Sequence, residues 1–441
     1  MSNYARRGIR GNGFNVSRIT AAVSLGFVLL STPVLAETEI EALKRELAEQ
    51  KELIKKILAA QESQKAVNAK VEAQAAATQA HSAATAPGAP TFTFYGVLDG
   101  GVERISNVSK SSGGSEDLTR VPNITGTLPS RLGVNVAKEV SPGYKAIATV
   151  EAGFNLDDGS SGQGGRIFGR QLFAGMETPI GSFTLGRQNS MIVYGMSSDL
   201  LGPNIYSLGS VDAYLPNARF DNSLAWRGKF DKFSFGALYS LGRDTKGGTP
   251  ASGTCGGEEV GDPGRCKGWS AMVRYDDKAF GLSAAVDEQR GGTGAKAYFF
   301  NGAAPLDFSR SSDYDRRIAA GGYVNLGKAK FGLGWLGRKV DALAGTVESD
   351  TYYINAAYQL NEKIAFDGGV YRITNDDQDR NATLVVVRGF YHWDQNLSNY
   401  LQIGHISNSG DARYALSVGA GVSPPAGESQ TGVMAGVRYR F

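Results

Sequence analysis

The sequence predicts an all-β chain: a 16-stranded antiparallel transmembrane β-barrel preceded by an α-helical coiled-coil segment. Three observations lead there. From Thr91 to the end, runs of about ten residues alternate apolar and polar side chains. Short and long connections between those runs alternate without a break. Glycine is concentrated in the same stretch, with 53 of the 58 glycines in 91–441, about 15 % against a usual level of about 7 %.

The alternation is visible in single runs. Leu132, Val134 and Val136 share one face of Arg131–Ala137, and Arg131, Gly133 and Asn135 share the other. Trp269, Ala271, Val273 and Tyr275 oppose Ser270, Met272, Arg274 and Asp276. Near the end, Val433, Ala435, Val437, Tyr439 and Phe441 oppose Gly436, Arg438 and Arg440. One face is oily and the other tolerates charge, with the period of two that belongs to strands.

The connections set the topology. Short ones are expected near 140–143, 179–182, 229–232, 276–279, 326–330, 360–363 and 394–396. Long, polar, glycine-rich ones are expected near 107–129, 155–165, 189–217, 243–266, 288–314, 340–348, 374–382 and 407–429. Fifteen connections imply sixteen strands with both ends on the short-turn side. An even strand number with short turns on one side and long loops on the other describes an outer-membrane barrel. Phe183, Phe233, Phe280 and Phe331 each follow a short turn, at the height of an interfacial aromatic girdle. Lipid offers no hydrogen bonds to a backbone, so such a sheet must close, and sixteen strands enclose water.

The first 90 residues are different material. Residues 1–36 place Arg6, Arg7, Arg10 and Arg18 around the start of the apolar run Ile19–Leu30, ending in Val34-Leu35-Ala36. That pattern is a secretory signal peptide, with cleavage expected after Ala36. In 37–80, Ile40, Leu43, Leu47, Ile54 and Ile57 recur at three-four spacing without Gly or Pro. This predicts a short periplasmic coiled coil, about 66 Å long if fully helical. Residues 81–90 (HSAATAPGAP) read as a linker, and 91–441 as the barrel domain.

Composition excludes several functions. Without 1–36 the chain carries 42 basic and 43 acidic residues, so a nucleic-acid partner loses its electrostatic support. Two Cys and three His (His81, His392, His405) argue against a zinc or serine-hydrolase site. No enzyme activity, metal or cofactor is expected. Gly322–Lys328 resembles a phosphate-binding loop, but Ala329 holds the required Ser/Thr place and a strand end is no cradle. Asp376, Asp377 and Asp379 read as a solvated acidic loop.

Several segments resemble Gram-negative general (diffusion) porins, particularly the beta-proteobacterial type. They are Phe94-Tyr-Gly-Val-Leu-Asp99, Ser130-Arg-Leu-Gly133, Tyr144-Lys-Ala-Ile147, Glu151-Ala-Gly-Phe-Asn155, Phe168-Gly-Arg-Gln171, Gly181–Gln188 and Arg219-Phe-Asp-Asn-Ser223. The terminal Val437-Arg-Tyr-Arg-Phe441 resembles their assembly signal, carried by Tyr439 and Phe441. The resemblance implies a homotrimer in outer-membrane lipid, recognised by the barrel-assembly machinery through Phe441. It implies a third long loop, about 189–217, folded inward as a constriction.

By motif, the arginines facing that loop are Arg131, Arg170 and Arg219, with Asp199 and Asp212 as the acids available on it. Lys145 and Glu151 face inward by alternation and would pair with each other or a neighbour. Arg187 has the same look, with a subunit contact as its other placement. Cys255 and Cys266 are expected to form a loop-pinning disulfide, as exported cysteines do. Opposed charges across the waist would make a transverse field favouring small hydrated polar solutes.

The function expected is passive diffusion of small hydrophilic solutes and ions with a weak anion preference. Two alternatives stand beside it. One is a channel for a particular solute class such as small carboxylates. The other is a structural tether in which the coil clamps three subunits or reaches the peptidoglycan.

Overall fold

The computed structural model describes residues 88–125, 128–244, 255–258, 260–417 and 422–441, with Ala48, Lys51, Glu52 and Lys55 ahead of them. The chain divides into two units, Met1–Thr85 and Ala86–Phe441. In the first, the four described residues are helical and exposed, and Lys55 lies 3.9 Å from Glu52 one turn earlier. The signal segment 1–36, the remainder of the coiled coil 37–80 and linker residues 81–87 lie outside the described residues.

The second unit is a closed ring of sixteen antiparallel strands. They are β1 (Thr91–Ser109), β2 (Arg131–Ser141), β3 (Tyr144–Gly153), β4 (Gln171–Thr178), β5 (Gly181–Asn189), β6 (Arg219–Phe230), β7 (Phe233–Ser240) and β8 (Gly268–Asp276). There follow β9 (Phe280–Arg290), β10 (Tyr314–Leu326), β11 (Ala329–Ala342), β12 (Gly345–Gln359), β13 (Ile364–Thr374), β14 (Arg380–His392), β15 (Leu397–Gly410) and β16 (Gln430–Arg440). Each strand pairs with the next, and β16 pairs with β1 from Val97↔Arg440 to Ile105↔Gly432. The lower part of β1 pairs with β2, from Thr91↔Ala137 to Val97↔Arg131. A short segment, Ser115–Arg120, covers the same edge of β1 higher up.

The period-two pattern decides which side chain meets which solvent. Leu132, Leu224, Leu282, Leu333, Ile354 and Val387 are exposed large apolar side chains on the outer face, and the four expected girdle rings Phe183, Phe233, Phe280 and Phe331 are exposed with them. Phe233 packs edge-on against Tyr275, which contacts Phe280 in turn, so neighbouring short turns share a ring cluster. The opposite face carries Ser270, Asn355, Arg317, Arg388 and Gln402, all buried.

The short turns fall where the sequence places them. One long connection does not. The segment expected at 340–348 is the two-residue turn Leu343-Ala344 between β11 and β12. Strand pairing continues through Val340↔Val347 up to Ala342↔Gly345. Both valines are buried with Phe299 and Phe308 of the β9–β10 connection, so burying the hairpin extends the ladder through what reads as polar loop. Cys255 and Cys266, in the β7–β8 connection, are bonded to each other and belong to the same apolar cluster.

The main apolar core lies inside the barrel. Ile192, Leu201, Ile205, Tyr206, Leu208, Val211, Tyr214 and Leu215, all from the β5–β6 connection, pack on inward residues of the wall and on Leu416 of the β15–β16 connection. Glycines make room for this. A Cβ at Gly332 would sit 2.2 Å from the Ser198 carbonyl oxygen, and one at Gly321 would sit 2.1 Å from its Oγ. Gly404 and Gly432 leave a slot for the Tyr206 ring in the same way. A side chain at these positions would collide with the loop.

Replacing Gly332 with Val is expected to lift 197–200 off the wall toward the opposite side of the lumen. Single-channel conductance should fall while the folded, heat-modifiable barrel is still produced. Unchanged conductance would show that the loop does not rest on this glycine floor.

Candidate functional site: the inward loop and the arginine wall

The β5–β6 connection, residues 190–218, leaves the strands at Ser190 and crosses the lumen. Two short helices, Met191–Gly195 and Leu208–Val211, and a 3-10 turn, Leu215–Asn217, give it a compact shape. Its outward limb is fastened strand by strand. The Ser270 hydroxyl of β8 accepts from the Met191 amide at 3.0 Å, and Ser197 donates to Ser283 of β9 at 2.9 Å. Ser198 and Tyr353 of β12 share a hydrogen bond at 2.8 Å, and Asn355 accepts from the Leu200 amide at 3.1 Å. Arg388 of β14 donates to the Leu201 carbonyl at 3.2 Å.

The tip reaches Leu416, whose carbonyl accepts from the Tyr206 amide at 3.2 Å. The return limb is tied by Tyr214, which donates to Asp287 of β9 at 3.0 Å. These fasteners lie on β8, β9, β12 and β14, and the loop therefore rests against that half of the wall.

The other half carries the three arginines expected at the waist. Arg131 begins β2, Arg170 immediately precedes β4, and Arg219 begins β6. Arg170 donates from Nε to Glu151 Oε1 of β3 at 2.7 Å. Arg131 Nε lies 3.6 Å from the other carboxylate oxygen, which also accepts from Tyr95 of β1 at 2.8 Å. Arg219 donates to the Pro216 carbonyl at 3.2 Å, but its Nε, fully buried, has no hydrogen-bond partner among the described residues. Arg170, Arg187, Glu151 and Arg131 are all within electrostatic reach of Arg219. Three of the residues expected at the waist thus stand together, with one carboxylate among them.

The remaining expected residues are distributed differently. Asp212 is not opposed to the arginine wall. It takes Arg317 of β10 in a two-point pair at 2.6 Å and 3.1 Å, and Arg317 also holds Asp315 at 3.0 Å. Asp199 accepts from Tyr371 of β13 at 3.1 Å and is buried against the wall. Both acids fasten the loop, and the Asp212 charge is taken by Arg317, so the expected transverse field is weakened on its negative side. The physical reason is desolvation: a carboxylate on a loop that is itself buried needs a partner within the wall.

Lys145 and Glu151 do not pair. Lys145 is exposed near the short-turn rim, opposite Glu139 and Glu177, about 20 Å along β3 from Glu151 at 3.3 Å per residue. Arg187 lies at a register shift between Gly186 and Gln188, and donates to Gly169 O at 2.7 Å and Asp221 at 2.5 Å. Tyr439 and Phe441 face outward, their rings stacked at 5.8 Å, and Phe441 exchanges backbone hydrogen bonds with Gly96 of β1.

Tyr95, Tyr214, Tyr371 and Arg317 are participants that sequence reasoning missed. Tyr95 meets Glu151 and Arg317 meets Asp212 on the inner face. Nothing in the spacing said that a loop residue more than a hundred positions away would meet Arg317.

A sixteen-strand membrane barrel whose lumen is crossed by its third long connection defines the class: a transmembrane barrel with an internal constriction. The comparisons agree. A family model described as Gram-negative porin matches residues 71–411, and the chain belongs to this family of outer-membrane β-barrels. An outer membrane porin protein of Bordetella pertussis is 29 % identical over 185 residues, which cover 39 % of this chain. That match spans 48 % of the relative, about half its length. The anion-selective porin from Comamonas acidovorans superposes with a TM-score of 0.63 at 20 % identity, over 80 % of this chain and 100 % of that one. OmpT of Vibrio cholerae, in a trimer form, gives 0.57 at 18 % identity over 80 % and 100 %. At these identities the structural likenesses speak for the fold.

Burial raises the carboxyl of Asp199 to about 6, against the opposing pull of the Tyr371 hydroxyl and Arg388. The docked loop therefore binds the proton more tightly than the free chain does. Docking is weakened as pH climbs from about 4 to about 6, and above that the full penalty is in place. Loop-dependent current fluctuations should become rarer on acidification from pH 7 to pH 5. In the Asp199→Asn variant that pH dependence should vanish; its persistence would exclude Asp199 as the cause.

Proposed function

We propose that the barrel is a water-filled outer-membrane channel for passive diffusion of small hydrophilic solutes and ions, with a weak anion preference, acting as a homotrimer. The observation that carries this reading is the composition of the waist. Arg131, Arg170 and Arg219 stand there against the single carboxylate of Glu151, while the loop acids Asp199 and Asp212 are engaged by the opposite wall. A waist with a net excess of cations concentrates anions and repels cations. The Comamonas acidovorans porin of the same fold is described as anion-selective, which supports the sign.

The trimer reading is supported by the Vibrio cholerae barrel of trimer form and by the broad apolar outer face of β1–β5, with Phe92, Phe94, Leu132, Leu172 and Leu185 exposed. Tyr439 and Phe441, outward on the closing strand, are assigned to recognition by the assembly machinery.

Changing Arg131, Arg170 and Arg219 together to Glu is expected to move the zero-current potential in a salt gradient from the anion side to the cation side. No movement would place the selective waist elsewhere. On gels, unboiled protein should run as an oligomer that resists detergent and collapses to monomer on boiling. Monomer alone before boiling would refute the trimer.

A further inference from the structure

Below the inward loop, toward the short-turn side, lies a cavity of about 620 Å³. Its floor and sides bring together Lys328, Lys330, Arg388, Arg438, Arg440 and His392. Asp199 and Asp367 are the acids among its lining residues, and both have other duties. Asp367 is held by Arg388 through two bonds of 2.6 Å, and Asp199 accepts from Tyr371. Asp99 is within reach of Arg438, but its oxygens accept from Tyr400 at 2.8 Å and from the Leu128 amide at 3.1 Å.

Arg438 and Arg440 make no ion pair among the described residues. They are instead held by a hydrocarbon plate and by strand geometry. The Arg438 guanidinium lies 5.3 Å over the Phe390 ring, Arg388 lies 5.5 Å over the same ring, and His392 stacks parallel to it at 6.1 Å. Lys330 is likewise placed over an aromatic, 3.6 Å from the centre of Tyr323. Arg438 and Arg440 are two apart on β16, so both project to the same face with backbones about 6.6 Å apart. Like charges gathered without a counter-charge repel one another. Aromatic faces keep such cations partly desolvated yet available to a ligand.

We propose that this vestibule is a second anion-binding site, distinct from the waist, which takes a polyvalent oxyanion between Arg438 and Arg440. Two neighbouring guanidinium forks match the several oxygens of a phosphoryl or multiply carboxylated anion better than a single monovalent charge. The site stands on the short-turn side of the loop, where an anion that has passed the waist arrives. The inward arginines alternate with Val437, Tyr439 and Phe441, which face outward, so the terminal strand presents one face to its lipid-side contacts and the other to the solute. This inference rests on the channel reading.

The test uses the purified full-length protein, inserted with known orientation in planar bilayers and carrying chloride current. Inorganic pyrophosphate is added to either side, with acetate as the monovalent control. Pyrophosphate from the short-turn side is expected to block at lower concentration than from the loop side, and acetate is expected not to block. Arg438→Gln with Arg440→Gln, leaving Tyr439 and Phe441 intact, should raise the blocking concentration roughly tenfold or more. The zero-current potential in a chloride gradient should keep its sign. Phe390→Leu, which leaves the terminal strand untouched, should shift block in the same direction if the double variant fails to assemble. Equal block from both sides, or block unaltered in both variants, would overturn the site. Absence of conductance or of anion preference in the parent protein would instead overturn the channel reading.

Discussion

Everything in this molecule depends on the closing ladder between β1 and β16. Inside lipid an open sheet edge leaves a row of amides and carbonyls with no partner, each costing several kcal/mol. The chain meets this by pairing Val97 with Arg440 and continuing to Ile105 with Gly432. The last residue still exchanges hydrogen bonds with Gly96. Once the ring is closed with sixteen members, its circumference follows, and side chains alone cannot fill it. The lumen is then either open water or is occupied by something the chain supplies.

What the chain supplies is the β5–β6 connection, and its attachment inverts ordinary globular logic. The apolar residues that would form a soluble core sit on this loop and on the inner wall, while the large apolar side chains of the strands face outward. Glycine is abundant for a related reason. At Gly321 and Gly332 the loop touches backbone, and at Gly404 and Gly432 a tyrosine ring fills the space of missing side chains. The polar fasteners fix register where apolar packing would allow sliding. The Arg317 guanidinium, buried between Asp212 and Asp315, admits one position for the return limb.

The strands were legible because lipid on one side and water on the other impose a period of two on every run. Leu132 against Arg131 and Val273 against Arg274 carry that rule in single residues. The turn at Leu343 was not, because its flanks owe their pairing to burial against Phe299 and Phe308, remote in sequence. The arginine trio was legible in part. Parity placed Arg131 and Arg219 on the inner face, whereas Arg170 lies just outside its strand and only the motif pointed to it. The two loop acids could be located but not assigned. Whether a carboxylate on a folded-in loop faces water or wall depends on the loop's own path, and periodicity does not encode that path.

The assignment of those acids changes the physics of selection. Acids facing arginines across a waist make a dipole, which orients polar solutes but gives little net preference for one sign of charge. With Asp212 paired to Arg317 and Asp199 set back against the far wall, the waist is closer to a monopole. Its net charge is about two positive units, three arginines less Glu151. A unit charge about 5 Å away in water feels roughly 0.8 kcal/mol for each of them, and about 1.4 kcal/mol is a tenfold preference. Mobile salt screens part of this, and the low-dielectric wall restores part by focusing the field. The balance favours anions by a modest factor and leaves cations able to pass, as a diffusion channel with a charge bias requires. Stricter selection would need the field to extend along the path, and Arg438 and Arg440 beyond the waist, which make no ion pair among the described residues, are placed to extend it.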